Sequence, residues 1–116
     1  IEYLPDAFFV HDESGSILDV NRHASDLTGR SREELLALRI TDLDAHFDET
    51  LLRAQWRAAK PGDTWEAQSL SRHRDGHVTD IDAHVVCYRY GDEKLFLSLV
   101  RDVTARLAEA AALRQR

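Results

Sequence analysis

The stretch KLFLSLVRDVTARLAEAAALRQR, residues 94–116, decides how the rest of the chain is read. From Leu95 to Val100 it is apolar apart from Ser98. That is the length and content of a strand covered on both faces, since a half-exposed strand alternates apolar and polar residues. The run continues through Arg101-Asp102-Val103-Thr104 into a segment rich in Ala, Leu, Arg and Glu, all strong helix formers. Asp102 or Thr104 is placed to cap that helix by accepting its free N–H groups. A central strand therefore feeds directly into a helix that leaves the domain. Such continuity suits a part that reports its internal state to something downstream.

Working outward, residues 65–71 and 78–90 read as the neighbouring strands. Arg74-Asp75-Gly76 between them is a strong hairpin signal, and Gly91-Asp92 turns the longer strand into the last one. Residues 48–59 carry Leu52, Gln55, Trp56 and Ala59 at helical spacing, which gives an inward face, and Lys60-Pro61-Gly62-Asp63 stops that helix. A loop around residues 41–46 precedes it. Further back, Ser31-Arg32-Glu33-Glu34 has capping-box spacing and opens a short helix through Leu38. Asn21 is a good N-cap for RHASDLTG, which ends at Gly29. Leu4-Pro5-Asp6 is a breaker, and residues 7–11 and 17–20 form a hairpin across Asp12-Glu13-Ser14-Gly15. The order is two strands, short helices, three strands and an exit helix: an α+β domain, an antiparallel sheet with helices on one face.

Composition narrows the class. At 116 residues the chain makes one domain with a real core. Its net charge of −6 argues against a nucleic-acid or anionic-membrane partner. One cysteine excludes an internal disulfide and fits a reducing, cytoplasmic compartment. No segment approaches the ~18 apolar residues of a membrane span, and no signal peptide is visible. The absence of methionine, even at position 1, points to a piece of a longer or trimmed protein, whose parent could be membrane-anchored elsewhere.

In that order, LPDAFFVHDESGSILDVN (residues 4–21), ASDLTGRSREELLAL (24–38), RHRDGHVTDIDAHVV (72–86) and LSLVRDVTAR (97–106) resemble a PAS domain of the bacterial sensor-box type. The resemblance covers nearly the whole chain. It implies a five-stranded antiparallel sheet of spatial order 2-1-5-4-3 whose helices enclose a small-molecule cavity. It further implies a sensory unit over residues 1–102, a signalling helix starting at 103–116, and output through that helix and a dimer contact.

Strand alternation assigns faces. In residues 78–90, Asp80, Asp82 and His84 share one face, so Ile81, Ala83, Val85 and Cys87 point to the core. In the last strand Phe96, Ser98 and Val100 oppose Leu95, Leu97 and Leu99. The resemblance turns the Phe96 set toward the cavity and leaves the three leucines on the outer sheet face. An uncovered apolar row calls for a second subunit or a flanking helix; the alternative is that the exit helix folds back over it. The expected partners are a second copy of the chain and a downstream effector domain in the same chain.

Trp56 and Trp65 either fill the core or wall a ligand cavity. Ser69, Ser71, Ser98, Gln55 and, beside Phe9, His11 are the candidate polar anchors, with Ile81, Ala83, Val85, Phe96 and Val100 as apolar lining. Known cofactors of the resembled family find no matching ligand. Its haem-binding members use a histidine on the helix at 48–59, which has none; His46 lies just before it. Its flavin and photoactive members need a cysteine that Cys87, far along a strand, does not supply. The alternating Asp80, Asp82 and His84 read as a solvated face rather than a metal site. No cofactor is expected; a small organic ligand fits the reading. There is no nucleophile–base pair and no phosphate-cradling loop, so the domain is not expected to be an enzyme.

Two functions remain from sequence. One is a sensory input module of a signalling protein, a histidine kinase first and a diguanylate cyclase next. The other is a ligand-free dimerisation module with a filled core. In either, Asp102 and Thr104 mark the output junction. Asp102 is expected to cap the exit helix and to pair with Arg101 or Arg106, while Val103, Leu107 and Ala110 begin a coiled-coil seam.

Overall fold

The computed structural model describes residues 6–44 and 48–115. The breaker residues Leu4 and Pro5, the loop residue His46 and Arg116 lie outside these. In chain order the elements are β1 (Ala7–Asp12), β2 (Ile17–Val20), α1 (Arg22–Thr28), α2 (Arg32–Leu36), a 3-10 turn (Ile40–Asp42), α3 (Glu49–Ala58), β3 (Thr64–Arg72), β4 (Val78–Tyr90), β5 (Glu93–Asp102) and α4 (Thr104–Arg114). The five strands form one sheet in the order β2-β1-β5-β4-β3, and every neighbouring pair is antiparallel.

Asn21 sets the geometry of the first third. Its Oδ1 accepts from Ala24 N, capping α1, and from Phe8 N, both at 3.0 Å, while its Nδ2 donates to the Asp6 carbonyl at 3.0 Å. One buried amide thus ties the start of β1 to the start of α1, and satisfies backbone groups that burial would otherwise strand. Gly29 ends α1 at φ 68, a left-handed position that glycine takes without a Cβ penalty. Ser31 and Glu34 form the capping box that opens α2.

α2 stops at Leu36 rather than running through Leu38. The Leu38 carbonyl accepts from Ile17 N at 3.1 Å, and Ile40 N donates to the Gly15 carbonyl at 2.8 Å. The chain is drawn off the helix to pair with the β1–β2 hairpin, and these long-range bonds outweigh one more helical turn. The loop expected at residues 41–46 likewise contains order: Ile40–Asp42 is helical, and Asp44 forms a bridge to Ser71.

The inner sheet face carries the core. Ala7, Phe9, Ile17, Val20 and Val100 pack with Ala24, Leu35 and Leu43. Beside them Val85, Cys87 and Phe96 pack with Trp56 and Ala59 of the α3 region. At roughly 25 cal/mol per Å² of apolar surface removed from water, such burial is the main force holding helices to sheet. The outer face has its own cluster of Phe8, Val10 and Leu95, with Tyr88, Leu97 and Leu99 packed against it. All six come from the sheet.

α4 does not fold back over the outer face. It has no buried residue, and Leu107 and Leu113 are exposed. Among the described residues its side-chain tie to the sheet is the Arg106–Asp82 ion pair at 2.6 Å. The expected pairing of Asp102 with Arg101 or Arg106 is therefore not formed: Arg101 pairs instead with Asp6 at 3.0 Å. Arg101 on β5 reaches Asp6 just before β1, the strand beside it, and Arg106 at the start of α4 reaches Asp82 on β4. Neither expected residue is the N-cap, which is Val103; Asp102, one residue earlier, still accepts from Thr104 N with its Oδ1 at 2.9 Å, and Thr104 is the first helical residue. No described helix is long and apolar enough to cross a membrane.

Candidate functional site

Between the inner sheet face and α3 lies a cavity of about 130 Å³. A void near 150 Å³ is enough to hold a benzene ring. Strand alternation puts one wall in place: Ile81, Ala83 and Val85 from β4, Ser98 and Val100 from β5, Phe9 and His11 from β1. α3 supplies Leu52, Gln55 and Trp56, and β3 supplies Trp65, Ala67, Ser69, Leu70 and Ser71. Gln55 and Ala67 are exposed, so they form the rim rather than the floor.

Eleven of the twelve residues expected from sequence line this cavity; the exception is Phe96. Phe96 points inward as alternation requires and is fully buried, but it sits one layer behind the wall. Its ring stacks on His11 at 5.1 Å and meets Trp65 edge-on at 6.1 Å, so these two rings stand between it and the void. The sequence reading left out Leu27, Ile40, Leu43, Asp44 and Leu70 as lining. The first four come from α1, the 3-10 turn and the residues just after it, where no strand periodicity marks a face, and Leu70 breaks the alternation of β3. The bridge from Asp44 to Ser71 and the bond from Arg72 N to the Leu43 carbonyl at 2.7 Å hold that segment against β3.

His11 is the most constrained side chain of the site. It is 2% exposed, stacks on Phe96 and meets Trp56 at 4.6 Å. Trp56 in turn fits under the β1–β2 turn because position 15 is glycine: a Cβ there would come within 3.0 Å of the indole. The His11 Nδ1 lies 2.7 Å from the Asp12 carbonyl, which can only accept, so Nδ1 carries the proton. Burial pushes the imidazole pKa down, partly offset by that hydrogen bond and by the Asp12 charge. The ring is therefore neutral near pH 7, and Nε2 is left as a lone-pair acceptor without a hydrogen bond among the described residues.

Two buried hydroxyls share this condition. Ser71 and Ser98 are each 6% exposed, line the cavity and make no side-chain hydrogen bond among the described residues. Ser69 is engaged, donating from Oγ to Asp44 Oδ1 at 2.7 Å. The arrangement is an apolar, aromatic-walled pocket with one imidazole acceptor and two hydroxyls free to bond a guest. That is the chemistry of a small-molecule site. Cys87 does not join it: the residue is fully buried in β4, and burial pushes its thiol up, away from the reactive thiolate.

The face carrying Asp82 and His84 is taken up elsewhere. Asp82 holds Arg106, and His84 lies 3.4 Å from Glu66 across the β3–β4 ladder.

Comparison with known proteins agrees with this architecture. A PAS domain of an HTR-like protein from Haloarcula marismortui is 27% identical, superposes with a TM-score of 0.82, and the match covers 87% of this chain and 84% of that one. A domain of a sensory box sensor histidine kinase/response regulator from Geobacter sulfurreducens is 26% identical with a TM-score of 0.72, over 87% of this chain and 86% of that one. A curated relative from Azorhizobium caulinodans, itself uncharacterised, is 28% identical over 114 residues; the match takes in 93% of this chain but 16% of that protein. The PAS fold family model matches residues 1–103. With that match over most of the chain and the same fold in these structures, the chain belongs to the PAS family.

Proposed function

We propose that this domain is the sensory input module of a larger signalling protein, a sensor histidine kinase before a diguanylate cyclase, and that it binds a small organic molecule in the cavity without a covalent bond. The supporting observation is the triad of His11 Nε2, Ser71 Oγ and Ser98 Oγ. All three face one void and have no hydrogen-bond partner among the described residues, so a guest with matching donors and acceptors can pair them. A neutral planar molecule suits the site, with a donor for the imidazole and an acceptor for a hydroxyl, stacking on the indoles. The likeness to a domain of a sensor histidine kinase/response regulator supports a signalling context with an effector elsewhere in the parent protein. The domain itself acts as a sensing and interaction part rather than an enzyme.

In this reading the signal is a shift of β5, passed through the Asp102–Thr104 step to α4. A second copy packs on Leu97 and Leu99, which stay half-buried in the single chain where Leu95 is already buried, and the pure protein is colourless. The test is a thermal-shift screen of small heteroaromatic and hydroxylated compounds on wild type and on Ser98→Leu, which fills the void. Binding raises the wild-type melting temperature, and the same compounds leave Ser98→Leu unmoved. If no compound acts on wild type while Ser98→Leu melts higher than wild type, the void is a packing defect. The chain is then a ligand-free interaction module.

A further inference from the structure

The β3–β4 hairpin carries a feature unconnected with the cavity. Its tip, His73-Arg74-Asp75-Gly76-His77, brings two imidazoles and a carboxylate together, with their ligand-type atoms all within 4.8 Å of one another. His73 Nδ1 lies 3.2 Å and His77 Nδ1 2.5 Å from the same atom, Asp75 Oδ1. The two rings stack at 4.5 Å between centroids.

Turn chemistry explains part of this. Asp75 Oδ1 also accepts from His77 N at 2.9 Å, and Asp75 N donates to His73 Nδ1 at 3.2 Å. That second bond requires a lone pair on His73 Nδ1, so the His73 proton sits on Nε2. It is the tautomer that coordination through Nδ1 needs. The turn does not explain why a second imidazole sends its Nδ1 to the same oxygen.

The cluster is held in place from outside. The His73 ring lies directly over Gly29, where any Cβ would overlap it. Arg74 N donates to the Thr28 carbonyl at 2.9 Å, and His73 N to the His77 carbonyl at 2.9 Å. The charge of Arg74, the cation inside the tip, is engaged by Glu34. His73 is the fixed member, with its side chain 24% exposed; His77 and Asp75 are more than half exposed and free to adjust.

The geometry points to a divalent transition-metal site formed by His73, Asp75 and His77. Two imidazole nitrogens and one carboxylate oxygen select the zinc, nickel, cobalt and copper class over magnesium or calcium, which prefer all-oxygen shells. Three protein ligands leave at least one position for water or another donor. Metal–ligand bonds of about 2.0–2.2 Å put neighbouring donors of a tetrahedral site roughly 3.3–3.5 Å apart. The His73–Asp75 spacing already meets this, and a small rotation of exposed His77 supplies the rest. The ion sits between His77 Nδ1 and Asp75 Oδ1, displacing any proton on that nitrogen. Bound there, it stiffens the hairpin tip, which the Arg74 N–Thr28 carbonyl bond already holds against the end of α1.

The test is calorimetric titration of the intact protein with Zn²⁺, and separately with Co²⁺, in a non-chelating buffer. The variants are His73→Asn, Asp75→Asn, His77→Asn and, as a control, His84→Asn. Asp75→Asn keeps an acceptor for the turn, and His77 is at an exposed tip, so far-UV circular dichroism should match wild type. The expected result is one ion per chain in wild type and in His84→Asn. Affinity falls at least tenfold in each of the three hairpin variants, and bound cobalt shows visible d–d bands without the near-ultraviolet absorption of a thiolate ligand. Absence of binding at 100 µM ion (roughly a hundredfold above a micromolar dissociation constant), or equal affinity in folded His77→Asn and Asp75→Asn, overturns the assignment. So does a loss that follows His84.

Discussion

Replacing His11 with Phe separates what the buried imidazole does for stability from what it does for packing. Phe keeps a ring to stack on Phe96 at 5.1 Å and to meet Trp56 at 4.6 Å. It removes the donor to the Asp12 carbonyl, a loss of about 1 kcal/mol at pH 7.5. The larger effect is on pH dependence. Burial holds the folded-state pKa of His11 below its ordinary 6.5. Below that pH the unfolded chain takes up a proton at position 11 that the folded chain resists, so stability is present above pH 6.5 and is lost as pH falls toward the folded pKa. One proton gives a limiting slope of about 1.4 kcal/mol per pH unit. Between pH 7.5 and 5.5 wild type should therefore lose up to ~1.4 kcal/mol more than His11→Phe. For a domain of about 100 residues that is roughly 5–10 °C in melting temperature. Urea or thermal unfolding of both proteins at pH 7.5, 6.5 and 5.5 measures it, and the difference between them cancels groups common to both. Parallel curves would refute the buried neutral imidazole, and with it the acceptor assigned to the cavity.

Asn21→Ala removes a helix cap worth about 1 kcal/mol and strands the buried Phe8 N–H at a further 1–3 kcal/mol; Asn21→Ser, too short to reach β1, should fall between it and wild type in urea unfolding. Leu97→Glu places a charge at the centre of the outer-face cluster and should turn a dimer into a monomer by light scattering; an unchanged mass, or a monomeric wild type, sinks the intermolecular contact. Asp102→Ala loses the 2.9 Å bond to Thr104 N, about 1 kcal/mol, and leaves the domain folded. In the full-length protein it should alter basal effector activity or its response, whereas a slightly lower melt with wild-type signalling would make the junction merely structural.

The sequence by itself determined what short-range physics governs. Asn21 and the Ser31–Glu34 box start helices by bonding backbone within three residues, and Gly29 ends one because its φ of 68 is open to glycine. Alternation in β4 and β5 assigned the inward faces, since a pleated strand has no other way to place successive side chains. Ile81, Ala83, Val85, Ser98 and Val100 reach the cavity for that reason. The sheet order was legible through the family resemblance of whole segments, while no single pair of residues encodes that β1 lies beside β5.

Only the tertiary structure decided matters that depend on separations of tens of residues. α2 ends early because Ile17 and Gly15 compete for its last turn. Phe96 faces inward yet lies behind the wall because His11 and Trp65 from other strands stand in front of it. Arg101 and Arg106 choose Asp6 and Asp82 over Asp102 because the sheet brings those carboxylates nearer. The void itself is a difference between the volume that the fold encloses and the volume that its side chains fill. Both volumes are set by packing across the sheet and α3, so a linear reading names the lining but not the space. The hairpin cluster obeys the same rule: His73 and His77 are four residues apart in sequence, but only the turn at Asp75-Gly76, together with the gap that Gly29 leaves for His73, brings their rings face to face.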